Sequence, residues 1–165
     1  MLCYDRCIVL FFFLIQIELN IMKNYFSEED KKKIIATIQA AELKTSGEIR
    51  VHIDKTCTED VLDRAAWWFK YLNMHKTAER NGVLIYIAME SRRFAIIGDL
   101  GINAVVPKDF WEEVKEEMLS FFKNNEFVSG IAHGVSRVGD YLKLYFPYKK
   151  DDVNELSDDI SFGTK

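Results

Sequence analysis

The sequence has no cysteine framework. Its three cysteines, Cys3, Cys7 and Cys57, are an odd number with two crowded at the N-terminus, so no disulfide scaffold and no paired metal-ligand spacing can be read. Cys57 reads as a plain thiol, and the usage fits a reducing compartment. There is no basic excess either: 22 Lys and Arg stand against 26 Asp and Glu, a formal net charge of -4. Nothing is left over to neutralise phosphates, which argues against nucleic acid as a partner. His52, His75 and His133 are scattered, with no His-Glu-x-x-His, no nucleophile elbow and no glycine loop between a strand and a helix to cradle phosphate.

Long hydrophobic runs are also missing. The apolar stretch from Cys7 to Ile15 falls short of the roughly 20 residues a spanning helix needs. As a signal peptide it has a suitable apolar core, but Asp5 cancels Arg6 and no small-x-small cleavage site follows. Residues 1–21 therefore read in three ways: an extension upstream of a true start at Met22, an uncleaved membrane-associating segment, or a cleaved signal. A start at Met22 implies a cytoplasmic protein; the other readings imply a membrane-associated or exported one.

What is present is ordinary globular material. A chain of 165 residues, 48% hydrophobic and 29% charged, suits one domain with a core that needs no staples. From Ser27 the text becomes periodic. Ser27 with Asp30 suggests a capping box, and Ile34, Ile35, Ile38 and Ala41 share one face of a helix ended by Ser46-Gly47. Ile49, Val51 and Ile53 then alternate with Arg50, His52 and Asp54, the period of a strand with one wet or partly covered side. Thr56 to Lys76 returns to helical spacing, with Val61, Leu62, Ala65, Trp68, Phe69 and Leu72 as its inner stripe.

The run GVLIYIAM is continuous enough for a central strand covered on both faces. Glu90-Ser91-Arg92 leaves room only for a hairpin turn before RFAII returns antiparallel. Two helices follow Pro107, the second carrying Gly130 and Gly134 at spacings that suit close helix packing. From residue 149 the chain loses periodicity and turns acidic, which reads as a flexible tail. The element order predicts an α/β fold, a mixed sheet with helices on its faces, over residues 22–148.

That order has a consequence for chemistry. The first two strands, joined by a helical crossover, run parallel, so they start at the same edge; the third ends there after its hairpin. Three loops meet at this rim: Thr45 to Glu48, Glu79 to Gly82, and Gly98 to Asn103. Asp99, Glu79 and Asn81 are the candidate metal ligands, because hard oxygen donors suit Ca²⁺ or Mg²⁺. Ser46, Glu48, Arg80 and Asn103 stand beside them as supports. Arg80 reads as an anion clamp or as the partner that neutralises Asp99. Asp99 and Asn103 read equally as turn-makers that bond their own backbone.

The run ERNGVLIYIAMESRRFAIIGDLGIN, with the earlier TSGEIRVHI, resembles the signature of the TPM domain family over roughly Ser27 to Tyr148. That resemblance implies a three-layer α/β/α sandwich around a small mixed sheet containing one hairpin. It implies divalent-metal binding, often of calcium, in a module that supports a protein partner, membrane-associated in some members; the alternative is a metal-assisted phosphatase acting on phosphate monoesters. Bacterial relatives often carry a C-terminal membrane segment, whereas nothing after Tyr148 here could span a bilayer, which favours a soluble bacterial form. Asn81, Arg92, Gly98, Asp99 and Gly101 are the positions that match the family pattern.

Overall fold

Ser27 starts the first helix by exchanging hydrogen bonds with Asp30: its Oγ accepts from the Asp30 amide at 3.1 Å while its own amide donates to Asp30 Oδ2 at 2.9 Å. This capping box satisfies amides that have no partner inside the helix. Helix α1 (Glu28–Glu42) then buries Ile34 and Ile38 completely, each worth roughly 1.5–3 kcal/mol of apolar burial. The computed structural model describes residues 25–150 and 154–163. The apolar extension 1–21 lies outside the described residues. No helix among those described is long and apolar enough to cross a membrane.

After α1 come strand β1 (Ile49–Asp54), helix α2 (Val61–Tyr71), a single 3₁₀ turn (Met74–Lys76), strands β2 (Val83–Ala88) and β3 (Arg93–Gly98), the short helix α3 (Leu100–Asn103), helices α4 (Phe110–Lys123) and α5 (Phe127–Tyr145), and strand β4 (Ser161–Phe162). The sheet order is β3-β2-β1-β4. Strands β1 and β2 are parallel, with Ile49 opposite Val83, and β2 and β3 form the antiparallel hairpin, with Val83 opposite Gly98. The architecture is the expected three-layer α/β/α sandwich. Ile49, Val51 and Ile53 with Val83, Ile85 and Ile87 face α1, α4 and α5 on one side; Leu84, Tyr86 and Ala88 face Ala65, Trp68 and Phe69 of α2 on the other.

Close packing between helices depends on missing side chains. A Cβ at Gly139 would come within 2.7 Å of Ala41 Cβ, so α5 lies directly against α1. The Gly134 position likewise leaves no room for a Cβ beside Met118 of α4.

Three expectations change. The helix read over 56–76 is shorter, because Asp60 caps it at Leu62 and Asp63, and Leu62 is exposed rather than on the inner stripe. The Gly98–Asn103 loop contains a helical turn, α3. The acidic tail contains a strand within 154–163: β4 pairs parallel with β1, His52 opposite Ser161 and Ile53 opposite Phe162. The edge of β1 offers unpaired backbone groups, which Gly163 N–H occupies by donating to Ile53 O at 2.9 Å. Ile160 is buried, and Leu156 and Phe162 pack on opposite faces of the core.

Candidate functional site

The parallel start of β1 and β2 and the end of β3 bring the three loops to one rim. Val83 N–H donates to Glu48 O at 2.8 Å, Asp99 N–H to Gly82 O at 2.9 Å and Gly101 N–H to Arg80 O at 2.8 Å. Gly101 is required by closeness: a Cβ there would come within 2.8 Å of Arg80 O and closer still to Glu79 O. Gly98 makes room in the same way for Trp111.

Side chains at the rim fall into two sets. In the first, Ser46 Oγ donates to Glu79 Oε2 at 2.5 Å, and the amide of Asn81 donates to Ser46 O at 3.1 Å. Asn81 is 1% exposed, yet its Oδ1 is buried with no hydrogen-bond partner. Buried polar oxygens are ordinarily paired, so this one is conspicuous. Lys149 reaches Glu79 Oε1 at 2.6 Å, and with Ser46 it holds the Glu79 carboxyl below its ordinary range.

In the second set, Arg80 Nε and Nη2 clasp both oxygens of Asp99, at 2.6 and 2.8 Å. Asp99 also caps α3 by accepting from Leu100 N–H at 2.8 Å. Arg80 is thus the neutralising partner, and its backbone lies in the left-handed region at φ 53 to make the approach. Asn103 shapes the loop, donating to Gly98 O at 2.7 Å and accepting from Trp111 Nε1 at 2.7 Å.

Two of the candidate residues stand elsewhere. Arg92 is at the hairpin turn, at the far end of the sheet, so it supports no rim loop. The Glu48 side chain is buried facing the tail, accepting from Glu155 N–H at 2.8 Å. It lines a cavity of about 470 Å³ with Glu42, Asn154 and Asp158. Burial pushes the Glu48 carboxyl up to about 7 and Glu42 up to about 9, with neighbouring carboxylates adding to both.

Of the candidate metal donors, Asn81 has an unpaired Oδ1, whereas both oxygens of Glu79 are engaged, by Lys149 and Ser46, and a cation there would have to replace Lys149. Asp99 is placed alike, since a cation would have to replace Arg80. Among the described residues no group of three or more His, Cys, Asp or Glu is arranged to hold a metal ion.

A polar network absent from the sequence reading lies under α2. Asp54, fully buried, accepts from Arg64 Nε at 3.0 Å, Trp68 Nε1 at 2.9 Å and Tyr86 OH at 2.9 Å. His52 Nε2 lies 3.2 Å from Asp54 Oδ1 and its Nδ1 lies 2.8 Å from Ser161 Oγ. Because burial lowers the His52 pKa, the ring is neutral at pH 7. Its N–H is on Nε2, facing a carboxylate that can only accept, and Nδ1 accepts a hydrogen bond from the Ser161 hydroxyl. Burial alone would raise the Asp54 pKa; the hydrogen bonds from His52, Trp68 and Arg64 outweigh it and bring it down to about 2. The arrangement pins β4 to β1. The available signal was the placing of His52 and Asp54 on the strand face that α2 covers.

Among solved structures, the BA42 protein of the psychrophilic bacterium Bizionia argentinensis matches with 46% identity and a TM-score of 0.79, over 84% of this chain and 95% of that one. The N-terminal domain of a protein from P. gingivalis matches at 16% identity with a TM-score of 0.60, over 73% of this chain and 78% of that one, and shows the fold alone. An N-terminal domain from Corynebacterium glutamicum, at 14% identity and a TM-score of 0.54, covering 82% of this chain and 79% of that one, does the same. No curated protein matches the chain. The family model of the TPM domain matches residues 19–141, the stretch that carries the rim, and the chain belongs to the TPM domain family.

Proposed function

We propose that this TPM domain is a divalent-cation-binding module, taking Ca²⁺ or Mg²⁺ at the rim and supporting a partner protein. The observation that carries the reading is the unpaired, buried Asn81 Oδ1 beside the Ser46–Glu79 pair. A hard cation prefers carboxylate and amide oxygens, and here two such groups lie on the β2 entry loop, which backbone hydrogen bonds tie to its neighbours. Asn81 and Glu79 would hold the ion, Glu79 by releasing Lys149, with Asp99 joining by releasing Arg80. A cation so held would fasten the β2 entry loop to the loop after β3 through Asp99 and stiffen the surface a partner meets.

The test is a Ca²⁺ and Mg²⁺ titration of the full chain followed by backbone-amide NMR and by melting temperature. Saturable shifts at Ser46, Glu79 and Asn81, with a concentration-dependent rise in Tm that Glu79→Gln abolishes, are expected. Absence of both effects overturns the reading.

A second reading, hydrolysis of phosphate monoesters, draws on one contact. Ser46 Oγ donates to the Glu79 carboxylate as a nucleophile does to a general base. Against it, Lys149 and Ser46 hold Glu79 below its ordinary range, which makes it a poor base near neutrality, and Arg80 is occupied by Asp99. Phosphomonoester turnover that Ser46→Ala removes would favour this reading over the first.

A further inference from the structure

The hairpin end of the sheet, opposite the rim, opens into a cavity of about 340 Å³, at the lower end of the size range of small-molecule clefts. Ile87 of β2 and Met89 of the hairpin turn line it, and Phe94, Leu119, Phe122 and Phe127 form its wall. Phe94 meets Phe122 edge-on at 5.0 Å, and Phe122 lies 5.6 Å from Phe127. All three rings are only half-buried.

The charged residues lining this cavity are of one sign. Arg92, Arg93 and Lys123 line it, and no carboxylate does. Arg93 donates to Glu59 O at 3.0 Å. Arg92 and Lys123 have no side-chain hydrogen bond or ion pair among the described residues. The acid of the turn, Glu90, is engaged by Tyr25 at 2.7 Å and Lys55 at 3.9 Å. Two unpaired cations beside a partly solvated aromatic wall, in a protein of net negative charge, complement a ligand with one anionic end and an apolar stem.

We propose that this cavity binds a small apolar monocarboxylate. The hydrocarbon stem packs on Phe94, Phe122 and Phe127, and the carboxylate is held by Arg92 and Lys123. A guanidinium matches a carboxylate bidentately, and an ammonium adds a charge-assisted donor. Removing the half-buried rings from water drives the stem inward.

The probe is sodium octanoate, titrated into the full chain and followed by backbone-amide NMR. Saturable shifts at Met89, Arg92, Phe94, Leu119, Phe122 and Phe127 are expected, without shifts at Ser46 or Asn81. The neutral 1-octanol should bind about tenfold more weakly, and the double variant Arg92→Gln, Lys123→Gln should lose about as much, the size expected for charged hydrogen bonds. No saturable shift, shifts centred elsewhere, or equal affinity for octanol and octanoate overturns the proposal. So does an unchanged Kd in the double variant. Both replaced side chains are exposed, so the fold should survive, which the melting temperature checks; should it not, the octanol comparison on the unaltered protein decides.

Discussion

The Asp54 carboxylate and the Trp68 indole meet at 2.9 Å beneath α2, both buried. Three other donors, from Arg64, Tyr86 and His52, converge on the same carboxylate. A buried charge persists only where it is this fully paired.

Asp54→Asn should therefore cost about 3 kcal/mol of unfolding free energy, because Arg64 is left facing a neutral amide in a mostly dry site. Denaturant unfolding at pH 7 measures it. The folded-state pKa of Asp54 lies below its ordinary 3.8, at about 2, so its contribution is present above about pH 4 and is lost as pH falls through 2. The difference between variant and native protein should shrink over that window; a constant difference would refute the assignment.

Glu42 has the opposite sign. Its folded-state pKa is raised from 4.5 to about 9, so its contribution is full below 4.5 and is lost as pH rises through 9. Glu42→Gln should keep the acceptor for Ile49 N–H, now 2.8 Å away, while removing the charge. We expect it to raise stability at pH 8 by about 1 kcal/mol, discounted for partial solvent screening, and to change nothing at pH 4. Thermal melts at the two pH values check this.

Besides its backbone pairing and the packing of Ile160 and Phe162, strand β4 is tied to β1 by one side-chain hydroxyl. Ser161→Ala removes the 2.8 Å contact to His52 Nδ1, leaving a buried ring nitrogen unpaired. Hydrogen exchange at the Gly163 amide should speed by about tenfold, as local opening becomes easier, while β2 amides keep their protection. Equal acceleration throughout would mean that β4 unfolds only with the whole domain.

Gly101→Ala should destabilise by at least about 2 kcal/mol, since its Cβ would meet backbone oxygens of Glu79 and Arg80 rather than a movable side chain. The same variant should disperse the rim resonances of Ser46 and Asn81. A melting temperature equal to the native one would show that α3 can shift away.

Much of the fold was legible along the chain. The capping box at Ser27, the alternation through β1, the unbroken apolar run of β2 and the short turn at Glu90 are local signals, each carried by a few consecutive residues. Connectivity then delivered the rim, because a parallel pair must start at one edge and a hairpin must return to it. The partner chosen by each rim side chain was not local. Arg80 taking Asp99, and Lys149 with Ser46 taking Glu79, depend on distances set after three segments meet.

The sequence by itself determined which residues face the same way and which loops share an edge, since those follow from period and chain direction. Only the tertiary structure decided whether a face is covered and by what. His52 and Asp54 alternate as a wet strand face would, and they are buried because α2 lies over them with Arg64 and Trp68. Ser161 and Phe162 carry no periodicity, yet they form a strand because the edge of β1, more than a hundred residues earlier, leaves its backbone groups in need of partners.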